Sequence, residues 1–202
     1  MADSDRVRVT TATAADVDRV TDLWIALAAG QRRHGSTLLA EENRNAVREW
    51  VARSVVTGEL LVAREEGSAA DIDDGRSADG YAGDDSDPDG GRSDDGHGEP
   101  VGFVGFSLDR GGYDRDRTRG TVSNLFVVPD RRGEGIGAEL LCAAEDALRE
   151  AGAETVALEA LAANGRARGF YADRGYETHR VEMTKSLGAE TAGPEAGDER
   201  EV

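Results

Sequence analysis

A chain of 202 residues with 41 acidic and 24 basic side chains has room for one domain plus extras, and its net charge of −17 argues against a nucleic-acid partner. It has no apolar run of about 18 residues and no basic-then-apolar start, so neither a membrane span nor a cleaved secretory signal is expected. The single cysteine, Cys142, cannot staple a fold, which points to a cytoplasmic chain with that thiol as a small buried apolar residue.

Residues 6–10 alternate Val7 and Val9 with polar side chains and predict a first strand. Thr13 or Asp16 can cap the helix that follows, which carries Val17, Val20, Leu23, Trp24 and Leu27 on one face and loses that pattern at Gly30. Residues 41–57 form a second amphipathic helix through Val47, Trp50, Val51 and Val55, stopped near Gly58. Leu60, Leu61 and Val62 mark a strand over 59–64. Residues 66–100 then hold 12 acidic and 2 basic side chains and 8 glycines. Such a segment cannot bury enough surface to offset the entropy of ordering it, about 1–2 kcal/mol per residue for the backbone alone. It is predicted to be a disordered insertion between two strands. Its Asp84–Gly90 stretch misses the register of a calcium loop, so no metal is expected.

The pattern resumes with PVGFVGFSL over 100–108, a strand joined to the previous one by a greatly lengthened hairpin. A turn at 111–116 leads to a buried strand over 121–128, which Pro129 ends. A glycine-rich turn opens a helix with Ile136, Leu140, Leu141, Ala144 and Leu148 at helical spacing, closed by Gly152. Residues 155–161 predict a strand, 164–174 a short helix closed by Gly175, and 176–185 a last strand. The tail over 187–202 is acidic, without periodicity, and predicted to be disordered. The order is β-α-α-β-(insertion)-β-β-α-β-α-β, which by itself licenses an α/β fold with a mixed sheet.

The strand, glycine turn and helix around Arg131-Arg132-Gly133-Glu134-Gly135-Ile136-Gly137-Ala138 aim free backbone N–H groups at an anion. The first turn of a helix has unsatisfied donors, and its dipole adds positive potential. Glycines let a phosphate approach the backbone, and Arg132 can add a charge-assisted bond. The segment reads as a pyrophosphate cradle. Gly133 to Ala138 also satisfies the dinucleotide pattern G-x-G-x-x-G/A, but about 120 residues precede it, whereas that fingerprint belongs to the first βα turn of its domain.

Arg132-x-x-Gly135-x-Gly137 after Leu125-Phe126-Val127-Val128-Pro129 resembles the acetyl-CoA motif of the GCN5-related N-acetyltransferase (GNAT) superfamily. Asn164-Gly165-Arg166-Ala167-Arg168-Gly169-Phe170-Tyr171, continued to Gly175-Tyr176, resembles that family's second motif. The resemblance spans residues 6–186 and implies a mixed, mostly antiparallel sheet flanked by helices. It implies an N-acetyltransferase that moves an acetyl group from acetyl-CoA, as co-substrate, to a primary amine by direct attack. The amine would be a protein N-terminus, a lysine or a small molecule, and a homodimer is allowed. The family's central strand over 125–128 bulges and splays from its neighbour. Leu125, Phe126 and Val127 would then offer backbone groups to the pantetheine arm, and Gly133, Glu134, Gly135, Ile136, Gly137 and Ala138 would take the pyrophosphate, supported by Arg132.

Asn164 would reach the pantetheine amides, or serve as an N-cap. Tyr171 would protonate the leaving thiolate, and a backbone N–H near Val127 would face the oxyanion. Glu159 stands where related enzymes place a base, which in a partly buried cleft would have a raised pKa, or it is a solvated strand residue. The first two helices would wall the acceptor site, with Gln31-Arg32-Arg33-His34 either touching substrate or solvated. A non-catalytic acyl-CoA-binding module is the alternative. Lys185 is the sole lysine against 23 arginines. This Asp-rich composition resembles halophilic archaeal proteins, with a GC-rich genome and an acidic insert as the other explanation.

Overall fold

The computed structural model describes residues 7–65, 98–109, 111 and 116–187. The expected insertion and acidic tail therefore lie almost wholly outside the described residues, as does most of the turn at 111–116. Residues up to Asn164 make one compact unit and those from Gly165 a second.

The first unit is built on a five-stranded sheet in sequence order. Strands β1 (Val7–Thr11), β2 (Leu60–Glu65), β3 (Pro100–Leu108) and β4 (Arg119–Val127) pair antiparallel, and β5 (Thr155–Leu158) joins β4 in parallel. Helices α1 (Val17–Gln31) and α2 (Arg44–Thr57) connect β1 to β2, and α3 (Ile136–Glu150) connects β4 to β5. This is the mixed, mostly antiparallel α/β architecture expected, with β3 on the predicted residues.

Strand alternation divides the core. Leu60, Val62, Phe103 and Phe126 face α1 and α2, where they meet Val20, Leu23, Val47 and Val51. On the other face Leu140 and Leu148 of α3 lie against the sheet. A Cβ on Gly120 would stand 2.7 Å from the Leu148 methyls, so only glycine lets α3 pack this closely on β4. Phe103 is wholly buried, and burial of such a ring is worth about 1.5–3 kcal/mol.

The entry to α1 is held by one carboxylate. The Thr13 N–H and hydroxyl donate to Asp16 Oδ2 at 2.7 and 2.9 Å, and Arg64 Nη2 of β2 donates to the same oxygen at 2.6 Å. Both members of the ion pair are buried. Burial pushes the Asp16 carboxyl up, but the bonds from Arg64 and Thr13 outweigh it and hold the pKa below 3.8.

Three expectations need correction. Cys142 is exposed on α3, because its position faces away from the stripe of Ile136, Leu140, Ala144 and Leu148 that meets the sheet. The strand expected over 155–161 ends at Leu158. Residues 176–185 form no strand: Val181 and Met183 alternate as a strand would require, yet both are largely exposed, at 72% and 90%. An isolated strand has no intrinsic stability, and period-two patterning yields one only where a partner edge is engaged.

Candidate functional site

Strand β4 positions the site through one extra residue. Gly105 pairs with Asn124 and Phe106 with Val122, which leaves Ser123 as a bulge. Pairing with β5 stops at the same place, the last pair being Val122 with Leu158. Beyond it, from Ser123 to Val127, β4 keeps β3 on one edge and has no strand on the other among the described residues. The β4–β5 ladder therefore ends there, and the bulge lies two residues before Leu125 rather than within 125–128.

The β3 register decides which backbone groups open to that gap. The Val128 N–H donates to Val101 O at 2.9 Å, so the neighbouring Val127–Gly102 pair turns its N–H and C=O groups outward. Leu125 has the same parity as Val127 and opens the same way. Phe126 has the opposite parity: its backbone groups face β3, and its ring is buried. Of the three expected contacts, Leu125 and Val127 face the gap, and Phe126 supports them from the core.

Arg132 closes the far end of this strand. Its Nε donates to Val127 O at 2.8 Å and its guanidinium carbon lies 5.3 Å from the Phe126 ring centre. Val127 is thereby left with its N–H facing the gap and its carbonyl engaged. The turn that follows is bent by Gly133 at φ 95° and Gly135 at φ 91°, values that side chains with a Cβ rarely adopt. Gly135 is the N-cap of α3, and no side chain caps the helix; the Ala138 N–H donates to Gly135 O at 2.8 Å, so the first-turn donors left for an anion are those of Ile136 and Gly137. Arg131 clamps the turn: its Nε donates to Glu134 Oε2 at 2.8 Å and Nη1 bonds Glu65 at the end of β2. Glu134 is thus a tie that shapes the turn, and its carboxylate is neutralised by Arg131.

Glu159 lies past the end of β5 and is exposed to solvent. Asn164 ends the first unit, its N–H bonded to Leu161 O at 2.8 Å.

In the second unit, α4 (Gly165–Ala172) carries Tyr171. Its ring meets Phe170 and Tyr176 edge-on, with centres 5.2 and 5.7 Å apart, and Arg174 stacks on Phe170 at 3.9 Å. Burial pushes the Tyr171 hydroxyl above its ordinary value of 10.0, which keeps the proton on an acid.

A cavity of about 300 Å³ opens on the α1–α2 face of the sheet. Trp24 of α1, Leu38 of the connecting loop, and Ala46, Val47 and Trp50 of α2 make its apolar walls. Asn43 and Asn124, the latter on β4 beside the bulge, supply two amides. Gln31, Arg32, Arg33 and His34 do not line it. The sequence marked Trp24 and Trp50 only as apolar helix positions, and Leu38, Asn43 and Asn124 carried no signal at all.

Among the described residues no helix is long and apolar enough to cross a membrane, and no three His, Cys, Asp or Glu side chains come together as a metal site.

Comparison with known proteins gives these features a family. The model of the acetyltransferase (GNAT) family matches residues 60–176. An aminoalkylphosphonate N-acetyltransferase of Salmonella typhimurium is 38% identical over 68 residues, covering 34% of this chain and 44% of that one. A streptothricin acetyltransferase of Streptomyces lavendulae is 32% identical over 128 residues, covering 60% and 65%. The chain spans less than two thirds of the length of these curated relatives. A GCN5-related N-acetyltransferase from Ralstonia eutropha shares the fold at TM-score 0.60 and 20% identity, covering 90% of this chain and 99% of that one.

Proposed function

Since this chain belongs to the acetyltransferase (GNAT) family, we propose that it transfers the acetyl group of acetyl-CoA to a primary amine by direct attack. The observation that carries the reading is the end of the β4–β5 pairing at Val122, beside an uncapped, glycine-bent helix start. The outward backbone groups of Leu125 suit an amide of a pantetheine arm, as an added strand would, with Asn164 a further contact and the Val127 N–H left for the thioester. The turn from Gly133 through Gly135, with Ile136, Gly137 and Ala138, suits a pyrophosphate. Arg132 supports it chiefly by fixing the end of β4.

In the reaction the amine lone pair forms the new C–N bond, the thioester C–S bond breaks, and the thiolate leaves with a proton. The Val127 N–H is the donor for the developing oxyanion. Tyr171, kept protonated by burial, supplies the proton to sulfur. Because Glu159 is solvated, the amine proton passes to water in this reading, and Glu159 is at most its outer acceptor. The work would be done in the cytoplasm, where acetyl-CoA is made, and the Asp-rich, nearly lysine-free surface would suit molar salt, where charge repulsion is screened.

Calorimetric titration with acetyl-CoA, CoA and NAD in molar KCl tests the reading, using wild type and a Gly135→Glu/Gly137→Glu pair. Acetyl-CoA and CoA should bind to wild type alone, and NAD to neither. Absence of CoA binding to folded wild type would sink it.

A further inference from the structure

The cavity between α1, α2 and β4 has a chemistry of its own, and we infer that it selects a small monoamine whose remainder is aromatic or branched and uncharged. The inference rests on the acetyltransferase reading, and it narrows the acceptor of that same site.

The first argument is charge. Among the described residues no ionised side chain lines the cavity. Next to the lining in sequence, Arg44 holds Asp22 at 2.6 Å and Glu41 at 3.0 Å, Arg48 holds Asp18 at 2.7 Å, and Glu42 and Glu49 are exposed to solvent. A second cationic group on an acceptor would find no carboxylate in the walls, and a phosphonate would find no guanidinium. Either would be desolvated without a partner, which binding sites penalise heavily.

Shape is the second argument. Trp24 and Trp50 offer flat apolar surfaces, and Gly105 lets Trp50 lie against the sheet. A Cβ there would stand 2.8 Å from the Trp50 ring and 2.9 Å from Ser123 Oγ. At about 300 Å³ the cavity is at the small end of ligand sites, so it suits a compact acceptor better than an oligosaccharide or a folded protein surface. Leu38 at its rim is 45% exposed, an apolar side chain left for a ligand to cover.

Orientation is the third. Asn43 Nδ2 is committed to Leu39 O at 2.6 Å, which leaves its carbonyl oxygen as an acceptor for an amine N–H. Among the described residues the Asn124 amide has no hydrogen-bond partner, and it stands on β4 three residues before Val127, the oxyanion donor proposed above. An amine held by Asn124 with its apolar part between the tryptophans is therefore presented along the strand that would bear the thioester.

Trp24 and Trp50 are the only tryptophans in the chain, so its intrinsic fluorescence reports this cavity. Full-length protein is titrated with 2-phenylethylamine, putrescine and 2-aminoethylphosphonate, with and without saturating CoA. A saturable change for 2-phenylethylamine, at a Kd at least about tenfold below those of the other two, is expected from burial of one ring. No saturable change, or equal or tighter binding of the other two, overturns the inference. Ala46→Asp, at an exposed helix position of the rim, should move the preference about tenfold toward putrescine, and an unchanged preference counts against the cavity as the selector. CoA release with the same amines separates the two readings. Binding of 2-phenylethylamine without release refutes the transfer reaction and leaves the cavity standing, whereas release driven only by putrescine or the phosphonate refutes the cavity.

Discussion

The turn before α3 and the cavity beside β4 are built by opposite means. At the turn, main chain would do the recognising, through two glycines at positive φ, the first donors of an uncapped helix, and the edge of β4 beyond its pairing with β5. At the cavity, side chains would do it, brought from α1, its following loop, α2 and β4 across 100 residues of sequence, from Trp24 to Asn124. Main-chain recognition tolerates few substitutions and concentrates in one segment. Side-chain recognition is dispersed and can be retuned one residue at a time. A family that keeps one donor and changes its acceptors is suited by this division.

The largest effect should come from the residue that belongs to neither region. Tyr171→Phe is expected to lower kcat about a hundredfold while both KM values stay put, since an acid acts on the leaving group alone. Wild-type activity should rise with pH as the acceptor amine loses its proton and fall only above about pH 10, because burial raises this hydroxyl from 10.0. That alkaline fall should vanish in the variant, and a preserved fall would assign it elsewhere. Gly133→Ala comes next. There is open space around its Cβ, so the cost is backbone strain alone, about 1 kcal/mol. The KM for acetyl-CoA should rise several-fold with the amine KM unchanged, and equal movement of both would dissolve the distinction between the regions.

Gly105→Ala adds one methyl beneath Trp50 and reads the opposite way. The amine KM should rise a few-fold by displacement of the ring, while calorimetry shows acetyl-CoA binding as before. Asp16→Asn should move neither KM, and its effect should show only in denaturant unfolding. It leaves Arg64 buried without its counter-charge, a loss of about 3–5 kcal/mol. The folded carboxyl sits below 3.8, so its contribution is complete above about pH 4 and is lost as pH falls through the lowered value. The variant's stability should lack that acid-dependent part.

The same contrast explains what could be read from the sequence. The glycine-bent turn was legible because Arg132, Gly133 and Gly135 lie within four residues, and the two glycines meet a local demand for positive φ. The core strands were legible because Phe103, Val62 and Phe126 alternate with residues of the other face. Phe126 was misassigned to the gap because parity depends on the bulge at Ser123, which is fixed by pairing with β3 and not by composition. Cys142 was expected inside because thiols usually are, yet its helical position turns it out. The segment from Tyr176 has a strand's alternation without a strand's pairing, and alternation carries no information about partners. Nothing local marks Leu38, Asn43 and Asn124, which meet only when the chain has folded.

The exposed Cys142 bears on how turnover is counted. Release of CoA is commonly followed by a reagent that captures free thiols, and this chain presents one such thiol on the surface of α3. Each protein molecule will therefore consume one equivalent of reagent before any acetyl group has moved. At high enzyme concentration that initial step would pass for a first turnover, and its amplitude would follow protein rather than amine. Substituting serine at that position removes the artefact without touching the apolar stripe of α3, and the corrected progress curve then starts at zero.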